Sequence, residues 1–190
     1  VPDGYYEIIS GHRRKHAAEK LGYRKVPVII RVLSEDDSIL SMVDSNLHRE
    51  RISYSEKAFA YKLKNDVLKR KRGRKKSQVD HKTPRKRAIE IISEDCGDSP
   101  KQVQRYISLT KLIPEMLQKL DDEIISFCPA VEIAALNETE QKELLVAMEY
   151  AQAIPSLSQA QRIRQLSKEK QLSLEKMEEI MCEVKKGEIT

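Results

Sequence analysis

Two spacings of apolar residues divide this chain. Near its start, Tyr5-Tyr6-Glu7-Ile8-Ile9 and Val26-Pro27-Val28-Ile29-Ile30-Arg31-Val32 are short, dense apolar runs. From residue 53 onward, every periodic segment instead repeats with the three-to-four-residue spacing of a helix. The two runs predict strands, the second apolar enough to be covered on both faces, with Pro27 at its beginning. Residues 12–21 predict a helix with Ala17, Ala18 and Leu21 on one side and Gly22 as its stop. Residues 35–47 predict a second helix with Ile39, Leu40, Val43 and Leu47 facing inward. Strand, helix, strand, helix within 50 residues is a small α/β unit.

The helical part opens with Ser53 and Glu56, spaced as a capping box. They start a helix carrying Ala58, Tyr61, Leu63 and Leu68, which runs into a basic block where Gly73 is expected to end it. Residues 77–82 are polar and loosely patterned, a loop. Thr83-Pro84 then predicts the start of a helix whose Ala88, Ile91 and Ile92 face a core. Cys96-Gly97-Asp98 reads as a tight turn, and Ser99-Pro100 opens the next helix with a capping residue and a proline at its first position. Helix, glycine-containing turn, capped helix is the helix-turn-helix arrangement. On its second helix Val103, Ile107 and Leu109 are the anchors, while Lys101, Gln102, Gln104 and Arg105 point outward. Short helices fill residues 114–150, punctuated by Pro114 and Pro129. The tail from Ser158 to Gly187 holds two more, with a thin stripe of Leu172, Leu174, Met177, Ile180, Met181 and Val184 that suits a partner helix or a dimer contact.

Composition agrees with a mainly α fold. Among 190 residues 34% are charged, glycine and proline are few, and tryptophan is absent, which excludes a β-sandwich. No apolar run approaches the ~20 residues that cross a bilayer, and no signal peptide is visible. The chain opens at Val1 in mid-pattern, as a fragment does. Cys96, Cys128 and Cys182 are far apart, without a Cys-x-x-Cys pair, and read as reduced structural thiols of a cytoplasmic protein.

The net charge of +5 hides an asymmetry, because residues 51–100 carry 15 basic and 7 acidic side chains. Within them Lys69, Arg70, Lys71, Arg72, Arg74, Lys75 and Lys76 crowd around Gly73. A block of this kind repels itself and favours a polyanion at close range. Beside a candidate recognition helix, it points to nucleic acid; alone it would equally suit a solvated linker. Ser99, Lys101, Gln102, Gln104 and Arg105 are suited to base edges, with glutamine matching adenine and arginine or lysine matching guanine. Lys69, Arg70, Arg72, Arg74, Lys75, Lys76, Arg85 and Arg87 are suited to phosphates.

Further resemblances are carried by two boxes. Tyr6-Glu7-Ile8-Ile9-Ser10-Gly11-His12-Arg13-Arg14-Lys15-His16-Ala17-Ala18 resembles the ParB partition-protein motif Gly-Glu-Arg-Arg followed by a helical alanine, and Val26-Pro27-Val28 fits the strand after it. Ser45-Asn46-Leu47-His48-Arg49 with Ile52 resembles that family's second box, Glu-Asn-Ile-Gln-Arg, at the right spacing. Ser99 to Leu109 and Leu112-Ile113-Pro114-Glu115 resemble its helix-turn-helix and Leu-Pro exit. The likeness spans roughly residues 5–150. It implies a ParB/sulfiredoxin-like α/β unit over 1–52, lacking the family's first box, and a helical DNA-binding domain over 53–150; the C-terminal helices over 151–190, a candidate dimer contact, lie outside the resemblance.

The resemblance implies a pocket for CTP with magnesium. There Gly11 and His12 would offer backbone N–H groups to phosphate, Arg13, Arg14 and Arg49 would offer guanidinium forks, and Asn46 would help to hold the metal ion. His12 and Ser45 stand where the family has glutamates, so weak or no CTP hydrolysis is expected. His12 and His16 lie four apart without a third ligand at a diagnostic spacing, and read as solvent-facing. Sulfiredoxin's cysteine before its His-Arg pair is Gly11 here, which removes that enzyme's nucleophile. The reading is thus a sequence-specific binder of double-stranded DNA at a palindromic site. It would act as a nucleoid-associated homodimer in chromosome, plasmid or mobile-element partition, with a partition ATPase as partner and no membrane. The alternatives are a ParB-like transcriptional regulator and, from another class, a nucleotide-dependent enzyme of CTPase or kinase-like type.

Overall fold

The structure is a computed structural model, which describes residues 4–47, 49, 51–74 and 86–183, without the side chains of 72–74. Ten helices form among the described residues: α1 (His12–Lys20), α2 (Glu35–Leu47), α3 (Tyr54–Arg74), α4 (Ala88–Cys96), α5 (Pro100–Leu109), α6 (Pro114–Asp121), α7 (Phe127–Ile133), α8 (Glu138–Ala151), α9 (Leu157–Lys168) and α10 (Leu174–Cys182). None is long and apolar enough to cross a membrane. The mainly α class holds.

Among the described residues the strands of the expected α/β unit are not seen. Residues 5–9 and 26–32 carry no strand, and their apolar side chains stay in solvent, with Ile29 84% and Val32 100% exposed. Two strands of five to seven residues form at best a marginal pair unless a hydrophobic face is covered. Here α1 buries no residue, so it covers neither run. The expected inner face of α1 is likewise bare, with Leu21 exposed.

From α2 onward, burial specifies the packing. Helix α3 is the central strut: the Ser53 and Glu56 backbone N–H groups exchange hydrogen bonds with each other's side chains at 3.3 and 3.2 Å, closing its capping box. It continues through Gly73 to Arg74, one residue beyond the expected stop. Its buried face is Ala58, Tyr61, Lys64, Asn65 and Val67, while Leu63 is 37% exposed and lines a cleft beside α2. Tyr61 joins Ile92 of α4 and Val103 of α5 in a small core, with Leu47 of α2 packed against it. Ala58 belongs to a larger core that runs through Leu109, Met116, Ile125, Ile133, Leu144 and Ile163 to Met177. One helix thereby ties both cores together.

Gln141 closes the junction of α5, α6 and α8. It is 1% exposed, accepts the Ile113 N–H at 2.9 Å and donates to the carbonyls of Lys111 at 3.1 Å and Leu136 at 3.0 Å. Gln159 does the same for α9 and α10, donating to the Ile180 carbonyl at 2.7 Å. The C-terminal stripe is therefore not a free face. Met177, Ile180 and Met181 are buried against this chain's own core, with α10 packed on α8. A helix carrying an apolar stripe needs any covering surface, and α8 is nearer than a partner. Val184 lies outside the described residues.

Candidate nucleic-acid interface

Helix α4 ends at Gly97, whose φ of 73° is a left-handed conformation that glycine adopts without strain, and whose N–H reaches the Ser93 carbonyl at 2.9 Å. The turn then passes through Asp98 to Ser99. The Ser99 hydroxyl accepts the Gln102 N–H at 3.2 Å and Pro100 takes the first helical position. The Gln102 side chain does not return to the Ser99 N–H but turns toward Arg105, whose Nη1 lies 3.5 Å from Oε1. The expected start of α4 at Thr83-Pro84 lies outside the described residues. Its observed first turn is fixed by the Arg87 N–H donating to Glu90 at 2.6 Å.

On α5, Ser99, Lys101 and Gln104 are exposed and Gln102 is half-buried, while Val103 and Leu109 are fully buried. The helix thus offers an amide and an ammonium to solvent over a fixed apolar base. Arg105 departs from this. Its guanidinium lies 4.9 Å from the Phe127 ring centroid, and Nη2 donates to Cys128 Sγ at 3.0 Å. An arginine stem buries readily on an aromatic face, so α7 captures a side chain expected to point outward. Phe127 in turn packs on Tyr106, their centroids 4.9 Å apart, and on Tyr54 at 5.7 Å.

The expected phosphate contacts are only partly on view. Lys69 and Arg87 are exposed. Arg70 lies 3.7 Å from Asp36, and Lys71 is paired with Asp37. Arg72 and Arg74 lie within α3, but their side chains, like Lys75, Lys76 and Arg85 altogether, lie outside the described residues.

The turn before α5 is held by residues that sequence reasoning missed. Tyr61 donates its hydroxyl proton to Asp98 at 2.6 Å, and Lys57 pairs with the same carboxylate at 2.8 Å. The Lys57 ammonium also lies 4.7 Å from the Tyr106 ring centroid. One turn further along α3, Lys64 pairs with Asp44 of α2 at 2.7 Å and Asp95 of α4 at 2.8 Å. The signal was available: Lys57, Tyr61 and Lys64 are spaced to share one face of a helix, opposite Asp95 and Asp98.

These contacts set the ionisation of the group. Burial, then the Asp98 hydrogen bond, pushes the Tyr61 phenol far above its usual value. Burial opposes the charge on Lys64, but Asp44 and Asp95 outweigh it and raise its pKa. Burial likewise works against the Asp98 carboxylate, and the hydrogen bonds from Lys57 and Tyr61 prevail, holding it below the usual 3.8. A carboxyl with a depressed pKa contributes stability that is present above its unfolded value and lost as pH falls through its folded one. Urea unfolding followed from pH 6 to pH 2 is therefore expected to show a steeper loss below about pH 4 in the wild type than in Asp98→Asn. Parallel curves would assign no such role to Asp98.

The residues of the two N-terminal boxes are not gathered in one place. Gly11, with φ of 100°, caps α1, and His12, Arg13 and Arg14 are exposed on it. Asn46 and Arg49 line a cleft of about 240 Å³ between α2 and α3, together with Glu56 and a largely apolar wall including Val43 and Phe59. None of the four α1 residues lines it. Among the described residues, no three His, Cys, Asp or Glu side chains gather as metal ligands.

Part of the chain is similar to known proteins. The sequence model described as ParB N-terminal domain matches residues 1–47. The nucleoid occlusion protein of Bacillus mycoides (strain KBAB4) is 38% identical over 87 residues, 42% of this chain and 30% of that protein. That of Bacillus cereus (strain B4264) is 37% identical over the same length. The match thus spans less than a third of these relatives' length. In fold, the chain is similar to the C-terminally truncated chromosome-partitioning protein ParB of Caulobacter crescentus, solved in complex with the centromeric parS site. The TM-score is 0.51 and the identity 22%, covering 95% of this chain and 78% of that one. Residues 1–47 thus match the ParB N-terminal domain, and the fold of the chain is similar to that of a ParB protein.

Proposed function

We propose that the chain binds double-stranded DNA by a helix-turn-helix formed of α4 and α5, and that it acts in DNA partition at the nucleoid. The observation that carries this reading is the capped end of α5, with Lys101 and Gln104 free above a buried Val103. A helix with its N-terminal polar side chains free and its opposite face locked can enter a major groove end first. Gln104 then suits adenine and Lys101 suits guanine, while Lys69 and Arg87 flank them as phosphate contacts. Two copies on a palindrome would present two such helices, one per half-site. The similarity to a parS-bound ParB supports the docking mode through fold alone.

CTP with magnesium is the ligand class that the N-terminal boxes imply, where it would supply a triphosphate and a bridging cation. The residues as placed do not make one triphosphate site: Asn46 and Arg49 share a cleft with the Glu56 carboxylate, and the α1 cations lie outside it.

Selection from a random duplex pool, followed by salt titration of the enriched site, tests the reading. A palindromic motif is expected. Each of Lys69→Ala and Arg87→Ala is expected to reduce the slope of log K against log salt by about 0.9, with the preferred sequence unchanged. A pool that stays random at low ionic strength would overturn the proposal.

A further inference from the structure

We propose that Lys64 is a positioning residue for DNA reading, and that through it Asp44 of α2 helps to set the turn that aims α5. This rests on the DNA-binding reading above and extends it to residues that touch no DNA.

The Lys64 side chain is 3% exposed and sits deep in α3, with its ammonium between Asp44 Oδ1 at 2.7 Å and Asp95 Oδ2 at 2.8 Å. Asp44 and Asp95 are about half exposed, at 42% and 50%. The pairing is lopsided: the cation is dry and both anions reach water. A buried ammonium cannot be left without acceptors, whereas either carboxylate can be solvated. Lys64 therefore pulls both partners to itself, and its position is a compromise between α2 and α4.

Asp95 is two residues before Gly97 and four before the Ser99 cap, so where α4 ends is where α5 begins. Lys57 and Tyr61, on the same face of α3, hold Asp98 on the other side of Gly97. The turn is thus gripped at two points by one helix. The Lys64 grip is shared with a third helix, α2, through the Asp44 carboxylate. Loss of the Asp44 carboxylate removes half of the ammonium's acceptors, shifts it toward Asp95, and slackens or redirects the turn without touching α5. Helix α2 also carries Asn46, on the cleft side, so the cleft and the turn are joined through the Asp44–Lys64–Asp95 contacts.

The test compares Lys64→Met, Asp44→Asn, Asp44→Glu and the Lys64→Met/Asp44→Asn double variant. Amide hydrogen exchange over residues 97–102 is read without DNA, and the affinity ratio for selected against scrambled duplex is read with it. Asp44→Asn is expected to speed exchange in that segment and to lower the ratio, each by about 3- to 10-fold, with scrambled-duplex affinity unchanged. Lys64→Met is expected to do at least as much. The double variant is expected to match Lys64→Met, because the two residues act through one contact. Asp44→Glu, which keeps the carboxylate, restores both readouts.

Exchange within twofold of wild type in Asp44→Asn, or effects that add in the double variant, overturns the inference. Should Lys64→Met fail to fold, the Asp44→Asn and Asp44→Glu pair decides alone, since Asp44 lies at the surface. A wild type that prefers no duplex overturns the DNA reading and this inference together. A wild type that prefers one, with an unmoved turn in Asp44→Asn, overturns the inference alone.

Discussion

Tyr61→Ala is expected to lose about 3–5 kcal/mol of folding stability, the largest single effect among the residues of the small core. Tyr61 is fully buried and meets Ile92 and Val103, with its ring edge-on to Tyr106 at 5.7 Å. Truncation removes the ring from all three and opens a cavity that α4 and α5 cannot fill, because Gly97 and the Ser99 cap fix their ends. It also takes away the hydroxyl that donates to Asp98. Tyr61→Phe separates these contributions. It keeps the packing and removes the hydrogen bond, so a cost of about 0.5–1.5 kcal/mol is expected, near the lower end because Lys57 still pairs with Asp98. Urea unfolding measures both. A Tyr61→Ala protein within about 1 kcal/mol of wild type would contradict a small core built on this ring.

Lys101→Ala/Gln104→Ala is expected to reduce discrimination between selected and scrambled duplex by about 2–6 kcal/mol and to leave folding stability within about 0.5 kcal/mol of wild type. Both side chains are exposed and neither supports the core. Arg105→Ala is expected to behave differently. Its guanidinium lies over Phe127 and donates to Cys128, so its removal costs folding stability by loosening the α5–α7 contact. The pairing of equilibrium unfolding with competition binding separates the two kinds of residue. A stability loss in the double variant equal to that in Arg105→Ala would mean that the outward face of α5 is not free for a ligand.

The helices were legible because they carry local signals. Ser53 with Glu56, Gly97, and Ser99-Pro100 each act within one turn of chain, and each forms as expected. Helix α2 begins and ends as the spacing of Ile39, Leu40, Val43 and Leu47 predicts. What the sequence did not show was partnership. The stripe of α10 read as suited to a partner helix or a dimer contact; the partner helix is α8, which nothing in the stripe itself names. The runs at 5–9 and 26–32 read as strands because a dense apolar run calls for a covering neighbour without showing that one is present. Arg105 read as outward from its register alone, whereas the aromatic face that captures it comes from residue 127. The candidate interface was therefore half legible: the capped helix and its exposed Lys101 and Gln104 followed from local pattern. The Lys57, Tyr61 and Lys64 face that holds the turn needed contacts 31 to 41 residues apart in sequence.

The central claim is that the amino-terminal end of α5 is the part of the chain that meets base pairs. Titration of the isotope-labelled wild type with its selected duplex, followed by amide and side-chain NMR shifts, tests this directly. The largest shifts are expected at residues 99–104, with the side-chain amide of Gln104 among them. Shifts confined to α6–α10, or none at saturating duplex, would contradict the account.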